Sequence, residues 1–179
     1  MTRGSTLPAH RLPPLSGCLA IPAQTRTSPA PRLDAFNTAA ADEAHRTLLA
    51  CLHSLRWARR IADHRPYPTL DALLAASDEA AYDLSPGDLA EALAAESLPG
   101  LPEDAYGAAH MALNAAHAAY EARFGHAFVI CLDGVPQEES PDYVLEGIRS
   151  RLTNDPEDER VVAAEELRKL ARQRLMRLA

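Results

Sequence analysis

"EDAYGAAHMALNAAHAAYEARFGHAFVICLDG", residues 103–134, is the stretch on which the fold class turns. Its first two thirds are dominated by Ala, Leu, Met, Glu and Arg, all good helix formers, and they run to Gly125, a residue suited to the left-handed conformation that ends a helix. Its last third, "HAFVICLDG", is the one β-like run in the chain, and it is too short to build a sheet by itself. The stretch therefore predicts one long helix followed by an isolated extended segment. The rest of the chain must decide whether that segment has strand partners.

It has none in the sequence. The 179 residues are 47% hydrophobic but only 5% aromatic, with Ala and Leu supplying most of the apolar content and few β-branched residues, which favours helices. "NTAAADEAHRTLLACLHS" places Leu48, Leu49 and Leu52 on one helical face, and "LRWARRIADHRP" continues with Leu55, Trp57, Ala58 and Ile61 until Pro66. "PTLDALLAASDEAAYDL" opens with Thr69 as a cap and Asp71 in its first turn, and "SPGDLAEALAAE" repeats the device with Ser85 and Pro86. "SPDYVLEGIRSRLTN" and "DPEDERVVAAEELRKLARQRLMRL" are two closing helices, the second acidic at its start and basic at its end, as the helix dipole prefers. The fold class is all-α, a compact multi-helix single domain. A chain near 150 residues buries about 68–70% of its unfolded surface, enough for one core.

Residues 1–32 differ in kind: they contain no Asp or Glu, and repeated prolines deny them a periodic apolar face. They read as a disordered tail, with the helical domain running from Leu33 to Ala179. Arg, Ser and Thr without acids also mark organellar transit peptides, but the prolines spoil the amphipathic helix such a peptide needs.

The formal charge of -7 gives phosphates no broad reason to approach, so nucleic acid is not an expected partner. Cys18, Cys51 and Cys131 are isolated and odd in number, which forms neither a disulfide framework nor a CxxC motif and suits a cytoplasmic protein. No apolar run approaches the roughly 20 residues of a membrane span. GxGxxG, HExxH and GxSxG are all missing. No cofactor or metal is implied.

An ordered set of short signatures carries more. Phe36–Asn37, Arg56–Trp57, "RPY" at 65–67, "YEARFGHAFVIC" at 120–131, "RLTNDPEDE" at 151–159 and "RQRL" at 172–175 resemble, in order and spacing, the 2-oxo-4-hydroxy-4-carboxy-5-ureidoimidazoline (OHCU) decarboxylases, all-helical lyases of urate breakdown. The resemblance covers about Leu33 to Leu178. It implies a homodimer and a small-molecule substrate. It also implies that Arg174 binds substrate and that the segment holding Phe128, Val129 and Ile130 lends backbone polar groups to it. In the family the helix matching "SPGDLAEALAA" runs into a His-Pro element whose His is catalytic, and a following loop brings a Glu into the same pocket. Here the His position reads Glu96, the Pro position reads Ser97, and "GLPEDAYG" leads straight into the next helix with no room for that loop. A family Asn three residues before the Tyr of Y-x-x-RFG reads His117.

The chemistry says why those positions matter. Losing CO2 beside an imine or carbonyl leaves an enol-like anion that must be stabilised and protonated on one face. Arg suits the carboxylate or ureido end, and a neutral His suits the proton. Glu96 serves that role only if burial raises its pKa. His110, Asn114 and His117 recur at i, i+4, i+7 with Glu121 one turn on, so this stripe is either a relocated acid/base face or a solvated face with a His117–Glu121 pair. A zinc held by His110 and His117 lacks a third ligand. Arg174 is either a pocket cation or one of the cations that helix C-termini attract, worth about 1 kcal/mol or less to folding if exposed. Trp57 follows the apolar period and belongs to the core, Arg65 ties a turn, and Asn154 caps the last helix. Three functions remain open: a lyase with a rebuilt site acting on another small polar carboxylated or ring compound, such as one of specialised biosynthesis; a non-catalytic ligand- or partner-binding relative; and the ordinary urate-pathway decarboxylase with relocated acid/base residues.

Overall fold

The computed structural model describes residues 31–98 and 108–178. Eight α-helices follow in order: α1 Pro31–Thr38, α2 Ala41–Cys51, α3 Leu55–Asp63, α4 Leu70–Tyr82, α5 Pro86–Ala95, α6 Ala108–Phe124, α7 Ser140–Arg151 and α8 Pro156–Leu178. There is no strand among the described residues, so the fold is all-α as expected. The tail expected over residues 1–32 lies outside the described residues except for Pro31 and Arg32, which already belong to α1. Residues 99–107 of the α5–α6 connection also lie outside them.

Local chemistry accounts for most boundaries. Thr69 accepts from the Ala72 amide at 3.1 Å, and Ser85 and Asp88 exchange bonds in a capping box behind Pro86. Gly125 ends α6 at φ 77°, where a side chain would meet its own backbone. Two features depart from the sequence reading. The segment from Asn37 to Ser54 is not one helix, because the chain bends at Ala39–Ala40 and separates α1 from α2. The last helix is capped by Asp155, whose Oδ1 accepts from the amides of Glu157 and Asp158 at 3.0 Å each, not by Asn154.

Two apolar clusters form. The larger joins α1 to α5 and α8 around Leu33, Leu48, Trp57, Leu73, Leu93 and Leu167; the smaller joins α6 and α7 through Leu113, Tyr120, Val144 and Ile148. Trp57 is in the core, its indole N–H bonded to the Ser77 carbonyl at 3.1 Å. The extended segment 126–132 is the wedge between the clusters. Phe128 faces the smaller, Val129 the larger, and Ile130 packs against the smaller again. An alternating backbone can serve two faces at once, which explains a β-like sequence with no sheet.

The family-like signatures act as staples. Arg65 donates to the Phe36 and Ala39 carbonyls at 2.8 and 2.9 Å, tying the α1–α2 bend, and Asn37 and Tyr67 exchange side-chain and backbone bonds at 2.9 and 2.8 Å. Arg168 and Arg172 both reach Asp78 at 2.8 Å, fastening α4 to α8.

Candidate functional site

The site is set where α5 ends, α8 nears its own end and the wedge passes between the two clusters. Glu96 follows the last residue of α5 in extended backbone (ψ 146°), which turns its side chain off the helix. There it meets Arg174. Arg174 Nη1 donates to Glu96 Oε1 at 2.7 Å and Nη2 to Oε2 at 2.8 Å, a two-pronged pair, while Nη1 also donates to the Cys51 carbonyl at 2.9 Å. The Glu96 side chain is 8% exposed and that of Arg174 32%. The hydrogen bonds it donates to Glu96 hold the guanidinium above its usual basicity against the cost of burial. Burial pushes the neighbouring Cys51 thiol up to about 11, with the Arg174 charge pulling the other way.

A cavity of about 360 Å3 opens against this pair, walled by Glu96, Ser97, Phe128, Val129, Ile130, Leu170 and Arg174 among others. The volume suits a small ring compound. Among described residues the wedge spends few of its backbone groups: the Val129 carbonyl accepts from Arg151 at 2.7 Å and the Cys131 amide donates to Glu166 at 2.7 Å. The sequence-predicted Glu96, Arg174, Phe128, Val129 and Ile130 are therefore brought together.

The α6 residues are not. His110 and Asn114 are exposed and do not line the cavity. His117 is 7% exposed, lies in the core with its ring centroid 6.2 Å from that of Phe128, and has no partner for Nε2. The stripe is not one uniform face: His110, Asn114 and Glu121 stand in solvent while His117 packs under the wedge. No hydrogen bond joins His117 to Glu121 among the described residues. Burial without a partner lowers the His117 pKa, favouring neutral imidazole.

A buried polar cluster holds the wedge in place. Arg151 donates to Glu159 Oε1 through Nε at 2.9 Å and Nη2 at 2.5 Å, and to the Val129 carbonyl; its guanidinium carbon stands 4.5 Å from the Phe128 ring centroid. Tyr120 donates to the same carboxylate oxygen, and Asn154 donates to Oε2 at 2.9 Å. Glu159 does lie in the first turn of α8 with Glu157 and Asp158, as the sequence reading has it, but it is fully buried and faces the cluster instead of solvent. Burial, reinforced by its bond to Glu159, pushes the Tyr120 hydroxyl pKa upward. Three of these four residues sit in the "RLTNDPEDE" signature, but nothing in their local pattern announces that Glu159 turns inward while Glu157 and Asp158 stay in solvent.

Among the described residues no group of three His, Cys, Asp or Glu could hold a metal ion, and no helix is long and apolar enough to cross a membrane. No curated protein matches the sequence. Among solved structures, the chain is similar to (S)-allantoin synthase, at 22% identity and a TM-score of 0.63 over 82% of this chain and 53% of that one. It is also similar to OHCU decarboxylase determined in the presence of (S)-allantoin, at 23% identity and a TM-score of 0.61 over 73% of this chain and 94% of that one. The chain thus spans about half the length of the allantoin synthase structure. These likenesses are of fold. The family model described as OHCU decarboxylase matches residues 37–111 and 100–176, two overlapping stretches that together run from the last two residues of α1 to within two residues of the end of α8, and on that match the chain belongs to the OHCU decarboxylase family.

Proposed function

We infer that this chain is a decarboxylase-like lyase with a rebuilt site, acting on a small polar carboxylated or ring compound other than the urate-pathway intermediate. The observation that carries the reading is the Glu96–Arg174 pair in the wall of a cavity shared with Phe128–Ile130. The cavity has the size, the cation and the backbone groups that orient a small polar ligand. Among the described residues its walls hold no imidazole, since His110 and His117 lie elsewhere. Glu96, standing where the family places its His, is the group left to move a proton there. That the family match breaks into two pieces meeting at residues 100–111 supports the absence of the loop expected to bring a second acid. The homodimer implied by the family is carried into this reading.

A second reading draws on the same pair. Both oxygens of Glu96 already accept from Arg174, so the cation is satisfied internally and the site resembles a binding pocket more than a poised catalyst. Production of chiral allantoin from freshly generated OHCU, followed by circular dichroism beside an ordinary family member, tests the first reading. General acid–base groups contribute about 10²–10⁴-fold each, so turnover here is expected to be feeble. Turnover equal to the control would make this an ordinary urate-pathway decarboxylase. If Glu96→Gln changes the rate on whichever carboxylated substrate is turned over by less than about threefold, Glu96 transfers no decisive proton.

A further inference from the structure

A second cavity, of about 350 Å3, shares Glu96, Ser97 and Arg174 with the first, but its remaining walls come from Leu49 and Ala50 of α2, Ala95 of α5 and His53 of the α2–α3 turn. The two cavities flank the ion pair. Its walls hold what the first cavity lacks, an exposed imidazole with no hydrogen-bond partner among the described residues.

The backbone that carries His53 is held in place. Leu52 and Ser54 on either side of it are buried; the Ser54 amide donates to the Leu52 carbonyl at 2.8 Å, and the Ser54 hydroxyl accepts from the Trp57 amide at 3.3 Å. Arg174 itself bonds to the Cys51 carbonyl, two residues before His53, at 2.9 Å. The turn and the guanidinium are thus joined directly, and a ligand on Arg174 in this cavity lies within reach of His53. The charged and titratable groups around the space are Glu96 from α5, Arg174 from α8, Cys51 at the end of α2 and His53 itself. Arg174 is its cation, His53 adds an imidazole and Ser97 a hydroxyl.

We propose that this cavity is a ligand subsite for the anionic end of a small carboxylate-bearing compound, with His53 and Ser97 as its own hydrogen-bonding groups and Arg174 shared with the first cavity. It rests on the reading of the Arg174 region as a substrate site and adds a second face to it. An anion entering here competes with Glu96 for the guanidinium, so the occupied state has the Glu96–Arg174 pair loosened or shared.

The test is a titration of the full chain, followed by NMR of the histidine ring protons and of the Val129 and Ile130 amides, with sodium oxalate as the carboxylate probe and allantoin as a neutral ureido probe. Oxalate is expected to shift the His53 resonances, while His110 serves as an unmoved reference. His53→Gln is expected to weaken oxalate binding by about fivefold or more, and Glu96→Gln to strengthen it. If His53 stays unmoved with oxalate up to about 10 mM, where even a millimolar site is largely filled, the subsite is refuted. Oxalate shifts confined to Val129 and Ile130 also refute it, while leaving the first cavity as the ligand site. If neither probe moves those two amides, the proposed function fails, whatever His53 does.

Discussion

At the scale of single residues, one ion pair and one histidine account for most of the unusual chemistry. Glu96 is buried against Arg174, so removing the cation strands a mostly buried carboxylate without its partner. Breaking a fully buried pair costs about 3–5 kcal/mol. With the Arg174 side chain a third exposed, Arg174→Ala is expected to cost about 2 kcal/mol in urea unfolding. That is more than the 1 kcal/mol or less expected of an exposed helix cation. Replacing both partners with Leu should return most of it, because two apolar groups leave no charge unpaired. A double variant as unstable as the single one would count against the pair as the cause. His117 gives a pH dependence. Its folded pKa lies below the unfolded value near 6.5, so the unfolded chain binds more protons in the window between them. Stability contributed by the neutral ring is present above about pH 6.5 and is lost as pH falls toward the folded pKa. His117→Phe should flatten the urea midpoint between about pH 7.5 and 5.5 relative to the parent. An unchanged slope would place the titration elsewhere.

At the scale of elements, the wedge 126–132 links the core to the site, since the backbone walling the cavity is held from behind by Arg151, Glu159, Tyr120 and Asn154. Glu159→Gln keeps the shape but leaves the Arg151 charge without its partner, at an expected cost of about 3 kcal/mol or more. The same change should disturb the Val129 and Ile130 amides, because Arg151 also holds the Val129 carbonyl. Stability lost with those amides unmoved would separate the cluster from the cavity. Gly147 on α7 makes a related contact: a Cβ there would stand 3.1 Å from Ile130 Cδ1 and 3.3 Å from Phe128 Cζ. Ala gains up to about 1 kcal/mol as a helix former, but overpacking a core costs about 1–3 kcal/mol. Phe128 is buried within the smaller cluster and has little room to yield, so Gly147→Ala is expected to be net destabilising by thermal unfolding. A raised melting temperature would mean that the wedge gives way.

At the scale of the whole molecule, the far-ultraviolet circular dichroism should be that of a helical protein, and removing residues 1–30 should leave it and the unfolding midpoint nearly unchanged. A large loss of helix on that truncation would place part of the core before Pro31. The homodimer carried over from the family predicts twice the chain mass by light scattering at micromolar concentration. A clean monomer would remove it.

The helices from α2 onward, their caps at Thr69 and Ser85, and the stop at Gly125 were legible in the sequence because each depends on residues within a turn or two of one another. The family was legible for a different reason: its signatures are the staples that hold such a fold, so they recur in order. Helix α1 was not, for its eight residues bury chiefly Leu33 and Phe36 and show little period. The site divides along the same line. Arg174 and Phe128–Ile130 came from the family register, but the direct pairing of Glu96 with Arg174 joins residues 78 apart, and Arg174 reaches Cys51 across 123. No local pattern encodes contacts of that separation. The same holds for His117 and Glu159, each polar, each on a helix face that looks solvated in sequence, and each buried because another part of the chain lies over it. Helical periodicity tells which residues share a face, and only the packing of the other helices decides whether that face meets water.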